Sequence, residues 1–117
     1  MIAPPRVALS ETTTSALRQV AAKTGLTPNV VARFAMLVSF EQRHAPAPDM
    51  GAADLTINRA TLFGEIESFL LAAFLAVHPN ADESTTSKLI ASHIARGARF
   101  LNLRVNSLFD LARLGIV

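Results

Sequence analysis

The chain has 117 residues, a formal net charge of +2, half of its residues apolar, and no cysteine, tryptophan or tyrosine. That length fits one domain, and the absent cysteine excludes disulfides, a thiolate zinc site and a sulfur-carrying thiol on this chain. The apolar content is rich in Ala, Leu and Phe rather than in β-branched runs, which favours helix and disfavours disorder.

The start, Met1 to Arg6, has no signal-peptide form, because no long apolar core follows a basic start. Arg6 to Leu9 reads as a short extended segment with Val7 and Leu9 on one side. Ser10 suits an N-cap, and Glu11 then sits near the positive helix end. The first helix, Glu11 to Thr24, carries an apolar face of Leu17, Val20 and Ala21, extended by Thr13 and Thr24. Gly25 fits the left-handed position past a helix end, Thr27 is placed to cap the next helix, and Pro28 opens it. This junction sets two amphipathic helices at an angle.

The second helix runs to about Gln42, with Val30, Phe34, Leu37 and Val38 at helical spacing. Val31, Ala35 and Met36 widen that stripe, so the helix is expected at the centre of the domain. His44 to Asp54 contains Pro46, Pro48 and Gly51 and reads as a loop. Leu55 to Ile57 alternates and predicts a short extended piece. A third helix follows Thr61 to Glu65, with Ile66, Phe69, Leu70, Ala73, Phe74 and Val77 as its apolar face. It ends at His78, Pro79 and Asn80. Its longest apolar run, Phe69 to Val77, is too short to span a bilayer, which needs ~20 residues. A cytoplasmic location is therefore expected.

Ser84 or Thr85 is expected to cap the fourth helix, which buries Leu89, Ile90, Ile94, Gly97, Ala98 and Leu101. Gly97 costs roughly 1 kcal/mol against Ala inside a helix, which points to a close backbone approach. Ser107 and Asp110 form a near capping box for a last helix, Leu108 to about Leu114, closed by Gly115. The fold class is mainly α: a compact single domain of about five helices, residues 1–117, with a short N-terminal extended segment. More apolar residues are present than a small monomer needs, so an oligomer interface is expected.

Catalytic chemistry finds little support in the residues. His44, His78 and His93 lack paired ligand spacing, and His93 suits a hydrogen-bonded packing role. Glu65 and Glu67 point to different sides of a helix, and Ser10, Ser84 and Ser107 read as caps. No glycine-rich phosphate loop is present. The charge pattern says more. Arg6, Arg18, Lys23, Arg33 and Arg43 make the first third basic, the middle is acidic, and Lys88, Arg96, Arg99, Arg104 and Arg113 make the last third basic. Such a chain either presents a polyanion-binding face or pairs its ends with its middle. Lys88, Ser92, Arg96 and Arg99 share one helical face that can follow a phosphate backbone, with Arg18 and Lys23 as a second cluster. With Phe mostly on core faces, duplex or backbone binding is favoured over single-strand stacking.

The strand followed by two helices is similar to a ribbon-helix-helix arrangement, in which strands paired across a dimer enter the major groove. Arg6, Ala8 and Ser10 would then face outward. The chain as a whole resembles the DndE family, the small subunit of the bacterial DNA phosphorothioation system. The resemblance runs through Leu9-Ser10, Lys23-Thr24-Gly25-Leu26 and Asn29-Val30-Val31-Ala32-Arg33-Phe34-Ala35. It resumes at Phe63-Gly64-Glu65, His93-Ile94-Ala95-Arg96-Gly97 and Ser107-Leu108-Phe109-Asp110-Leu111.

The resemblance implies a helical protein; with no nucleophile–base or metal-ligand constellation among the residues, a non-enzymatic subunit without cofactor or metal is expected. It would act where sulfur replaces a non-bridging phosphate oxygen of DNA, while sulfur mobilisation and nucleotide-dependent steps belong to partner proteins. It implies binding to double-stranded DNA, notably nicked DNA, and a homotetramer. Family members can carry Cys in place of Ala32, their first helix is richer in Lys and Arg, and an aromatic residue is usual where Pro28 stands. The expected DNA contacts are Arg18, Lys23, Arg33, Lys88, Arg96 and Arg99. A structural adaptor without DNA contact and a ribbon-helix-helix regulator are the alternatives.

Overall fold

The alternation at Val7 and Leu9 does form a strand: β1, Arg6–Ser10, pairs antiparallel with β2, Ala53–Asn58, in a two-stranded sheet. Val7 lies opposite Ile57 and Leu9 opposite Leu55, with an irregularity between Leu9 and Ser10. The computed structural model describes residues 3–42 and 44–115; Met1, Ile2, Arg43, Ile116 and Val117, including the expected cation Arg43, lie outside the described residues.

Helix α1 spans Glu11–Thr24, as its spacing predicts, and buries Thr13, Thr14, Leu17, Val20 and Thr24. Its cap is a tertiary device. Ser10 Oγ accepts from the Thr13 amide at 3.3 Å and donates to Asp49 Oδ1 at 2.6 Å. Asp49 Oδ1 also accepts from Thr13 Oγ1 at 3.0 Å, and Asp49 Oδ2 from the Ser10 amide at 2.9 Å. A carboxylate from the loop thus sits at the positive end of α1. Gly25 closes the helix at φ 78°, its amide donating to the Ala21 carbonyl.

Helix α2 is Pro28–Phe40, two residues shorter than its spacing suggests. Thr27 holds the cap position, but its hydroxyl makes no cap hydrogen bond. The deepest side chains are Val31, Ala32, Ala35 and Met36, while Val30, Phe34 and Leu37 are half-buried. The wide stripe explains the rotation: α2 touches α1 and three later helices, α3, α4 and α5, so almost any face of it is inside.

The expected third helix is broken. Helix α3, Arg59–Phe63, ends at Gly64 with φ 57°, a 3₁₀ turn covers Gly64–Ile66, and α4 is Glu67–Val77. The break resets the helical phase. Leu70, Leu71 and Phe74 face the core, whereas Phe69 is 59% exposed and Ile66 is exposed as well, contrary to the expected face. A helix apolar on nearly every side gives periodicity no direction to report. By length and composition alone, Arg59–Val77 is apolar enough to cross a membrane. Its longest continuous piece, α4, has 11 residues and so spans roughly 16 Å, about half a hydrocarbon core.

Helix α5, Glu83–Arg104, is the longest element. Its cap is Asp82, not Ser84 or Thr85: the carboxylate accepts from the Thr85 amide at 3.0 Å and from Ser84 Oγ at 2.7 Å. These hydrogen bonds to Ser84 and Thr85 hold the Asp82 carboxyl below the usual carboxylate range. The core of the fold is the crossing of α5 over α2, where Gly97 lies against the Ala35 backbone. Helix α6, Leu108–Arg113, buries only Leu111. Ser107 makes no side-chain cap bond; Asp110 Oδ2 instead accepts from the Asn106 amide at 2.7 Å. All the expected helices are present, with the third divided.

Candidate nucleic-acid interface

One predicted cation joins two helices. Lys23 on α1 donates through Nζ to the Asn102 carbonyl and to Asn102 Oδ1 on α5, both at 2.9 Å. Asn102 Nδ2 donates back to Gln19 Oε1 at 2.8 Å, and Gln19 Nε2 donates to Ser15 Oγ at 3.1 Å. These bonds fix α1 beside the last turns of α5. Arg99 is exposed one turn before Asn102. Arg18 is exposed too, but about 100° around α1 from Gln19 and about 140° from Lys23. The seam is polar, hydrogen-bonded and flanked by Arg99. Periodicity on each helix showed the cations, but Asn102 as their link was not legible, because nothing in α1 announces its partner. Arg104, one of the cations of the basic last third, stacks 4.8 Å over the Phe100 ring, a contact that its i,i+4 spacing from Phe100 allows.

The strip expected along α5 does not hold together. Lys88 is exposed, but it lies 11 residues before Arg99, roughly 16 Å along the helix. Between them Ser92 is buried, donating to the Lys88 carbonyl at 2.8 Å and accepting from the Asp49 amide at 3.3 Å. Arg96 turns inward. Its Nε donates to Ser39 Oγ at 2.8 Å, and its Nη2 donates to the carbonyls of Ser39 at 2.8 Å and His44 at 2.9 Å. Burial moves its guanidinium pKa down. The loop from His44 crosses this face of α5, which sequence periodicity cannot foresee.

Arg33 is also occupied internally. Its Nε donates to the Leu62 carbonyl at 2.8 Å and its Nη2 to the Thr61 carbonyl at 3.0 Å. The guanidinium lies so close over Gly64 that a Cβ there would meet Nη2 at 2.6 Å. Arg33 therefore ties α2 to the end of α3, where the left-handed Gly64 makes room for it.

Pairing of the basic ends with the acidic middle is not what the structure shows. The two ion pairs among the described residues are local: Arg59 with Glu67 at 2.6 Å, and Arg113 with Asp110 at 3.7 Å. Hydrogen bonding to each other raises the Arg59 pKa and lowers that of Glu67. Arg18, Lys88 and Arg99 meet no carboxylate among the described residues. Nor do the described residues hold a group of three or more His, Cys, Asp and Glu side chains placed for a metal. The histidines do meet, however: His78 and His93 approach to 2.7 Å, Nε2 to Nε2.

A second surface is apolar. A groove of about 650 Å³ between α2 and α4 is lined by Leu37, Val38, Phe40, Phe69, Ala73 and Val77, among others.

Comparison with known proteins agrees on one family. The family model described as DNA sulphur modification protein DndE matches residues 6–108. No curated protein sequence matches. The fold is similar to the crystal structure of DndE from Escherichia coli B7A, a protein involved in DNA phosphorothioation modification. The two are 27% identical with a TM-score of 0.72, and the match covers 86% of this chain and 99% of that one. It is also similar to a DndE mutant involved in DNA phosphorothioation, at 26% identity and a TM-score of 0.71. A match that runs from β1 to the start of α6 takes in every element before α6, and the chain belongs to the DndE family of DNA sulphur modification proteins.

Proposed function

We propose that this protein is a non-enzymatic DNA-binding subunit of the phosphorothioation machinery, acting in the cytoplasm on double-stranded, notably nicked, DNA. The observation that carries the reading is the α1–α5 seam. Arg99 stands exposed beside a Lys23–Asn102–Gln19 linkage, Arg18 is exposed elsewhere on α1, and no described carboxylate neutralises either arginine. Cations held on two rigid helices suit phosphate contacts, which position a protein on a duplex without reading its sequence. Lys88 adds a contact further along α5. Arg33 and Arg96 serve the fold instead, so the contacts reduce to Arg18, Lys23, Lys88 and Arg99.

The salt dependence of affinity for a nicked duplex tests this. Each phosphate contact contributes about −0.9 to the log–log slope. Arg18→Ala with Arg99→Ala is expected to lower the slope's magnitude by roughly 2 at unchanged stability. An unchanged slope, or no binding at low salt, overturns direct contact at this seam.

The exposed Phe69 and the groove beside it favour a second role, as an assembly element. This face suits self-association, and a homotetramer is the assembly we infer, with other phosphorothioation proteins as further partners. Phe69→Asp is expected to reduce the mass measured in solution while leaving the helical signal intact. An unchanged mass removes the face from assembly. The regulator reading has less to support it: β1 already pairs along its length with β2 of its own chain, leaving one edge for a dimer.

A further inference from the structure

A line of polar side chains crosses the apolar interior from the end of α4 to the loop after α2. His78, just past α4, meets His93 of α5 at 2.7 Å, Nε2 to Nε2. His93 Nδ1 lies 2.7 Å from Ser39 Oγ, which accepts from Arg96 Nε at 2.8 Å. The same guanidinium reaches the Ser39 and His44 carbonyls through Nη2, and His44 Nδ1 through Nη1 at 3.0 Å. His93 and Ser39 are 0% and 1% exposed. The rings of Phe40 and Phe74 pack edge-on against His93.

The proton order follows from the chemistry. A guanidinium only donates. Ser39 Oγ therefore takes a hydrogen bond from Arg96 and gives its own proton to His93 Nδ1. His93 is then protonated on Nε2 and donates to His78 Nε2, so His78 carries its proton on Nδ1. His44 Nδ1 lies 3.0 Å from Arg96 Nη1 and 3.3 Å from the Ala45 carbonyl, and accepting from the nearer guanidinium places the His44 proton on Nε2.

We propose that this line is a proton-operated latch on the loop from His44 to Ala52, closed while the His78–His93 pair is neutral and released when the pair takes up one proton. An added proton on His78 Nε2 points at His93 Nε2, so the His93 proton must move to Nδ1. Ser39 Oγ then faces two donors, Arg96 and His93, and its hydroxyl proton is left without the acceptor it had. The new imidazolium also stands in a buried line with a guanidinium, where like charges repel more strongly than in water. Both effects loosen Arg96 from His44. The loop beyond His44 carries Asp49, whose carboxylate caps α1 and whose amide meets Ser92.

The charged or titratable groups facing the pair are Arg96 on α5 and His44 on the loop; α2 presents Ser39 and Phe40, and α4 presents Phe74. Asp49 is the titratable group at the far end of the loop. Burial and, after it, the neighbouring Arg96 lower the His78 pKa. Burial, then His78, Arg96 and His44, push His93 down to about 3. The latch is therefore shut at neutral pH and opens in acid.

Two measurements on the full chain decide it. Imidazole ¹⁵N spectra at pH 7.5 are expected to show His93 protonated on Nε2 and His78 on Nδ1. Between pH 7.5 and 5.0, hydrogen-exchange protection of the Asp49 and Ser10 amides is expected to fall about tenfold more than that of Leu101 in α5, which follows global stability. His78→Gln keeps an oxygen acceptor for His93 but cannot titrate, so its drop should stay below about threefold. A His93 proton on Nδ1 at pH 7.5, wild-type protection that holds at pH 5.0, or an equal drop in His78→Gln each overturns the latch. An equal drop would place the pH response outside the histidine pair. If His78→Gln fails to fold, the wild-type spectra and protection values still decide.

Discussion

Gly97→Ala should abolish stable folding, or lower stability by about 4 kcal/mol or more, the range reached only by severe core disruption. A Cβ at Gly97 would lie 1.8 Å from the Ala35 carbonyl oxygen, 2.4 Å from its carbon and 2.6 Å from the Ala35 Cα. All three are backbone atoms of α2, so no side chain can swing aside. The helices would have to separate, and the contacts of Ile94, Ala98 and Leu101 with the core would open with them. Alanine gains roughly 1 kcal/mol in helix propensity over glycine, which is far too little to compensate. Urea unfolding of the two proteins checks this, and a variant as stable as the parent would contradict the crossing geometry.

Stability should also fall by about 2 kcal/mol between pH 7 and pH 5, because one buried histidine cannot take a proton. The sign follows from the two states. His93 has a folded pKa pushed down to about 3, against 6.5 when unfolded. Above 6.5 the ring is neutral in both states and stability is at its full value. Below 6.5 the unfolded chain binds a proton that the folded chain does not, so stability is lost progressively down to about 3. At pH 5 the gap of about 1.5 units, at about 1.4 kcal/mol each, gives the expected loss. His78, lowered by burial, acts in the same direction. Glu67 and Asp82, whose lowered pKa values stabilise the folded state, lose that contribution only at lower pH. Urea midpoints at pH 7 and 5 should therefore separate for the parent and converge for His93→Gln. A flat profile in the parent would contradict a buried, neutral His93.

Much of the fold was legible because local chemistry and tertiary packing agree. Val7 and Leu9 alternate and form a strand; Ser10, Gly25 and Pro28 mark helix ends and occupy those positions. Gly97 announced the helix crossing through its own propensity cost. Where several residues were equally qualified, the reading failed. Asp82, Ser84 and Thr85 can all cap a helix, and only the backbone path after Asn80 selects Asp82. In α4 nearly every residue is apolar, so its buried side depended on the phase set by Gly64.

The candidate site was legible as a set of cations and not as a surface. Arg96 and Arg99 are three residues apart and look equivalent on a helical wheel. One is bound to the Ser39 and His44 carbonyls and the other faces solvent, because the loop from His44 meets α5 at Arg96 and Ser92 and does not reach Arg99 in any described contact. Arg33 stands in a family motif and proves to fasten α3 to α2. His78, just past α4, and His93 in α5 are 15 residues apart, and their contact is made by the turn between α4 and α5.

The sequence by itself determined the helical class, the strand, the order of the elements, the helix junction at Gly25 and the family. Those properties depend on periodicity, propensity and caps, which act within a few residues. Which arginines face water, which side of α4 is open and which histidines touch were decided only by the tertiary structure. Each depends on the relative rotation of two elements far apart in the chain, which is fixed by contacts that neither segment contains alone.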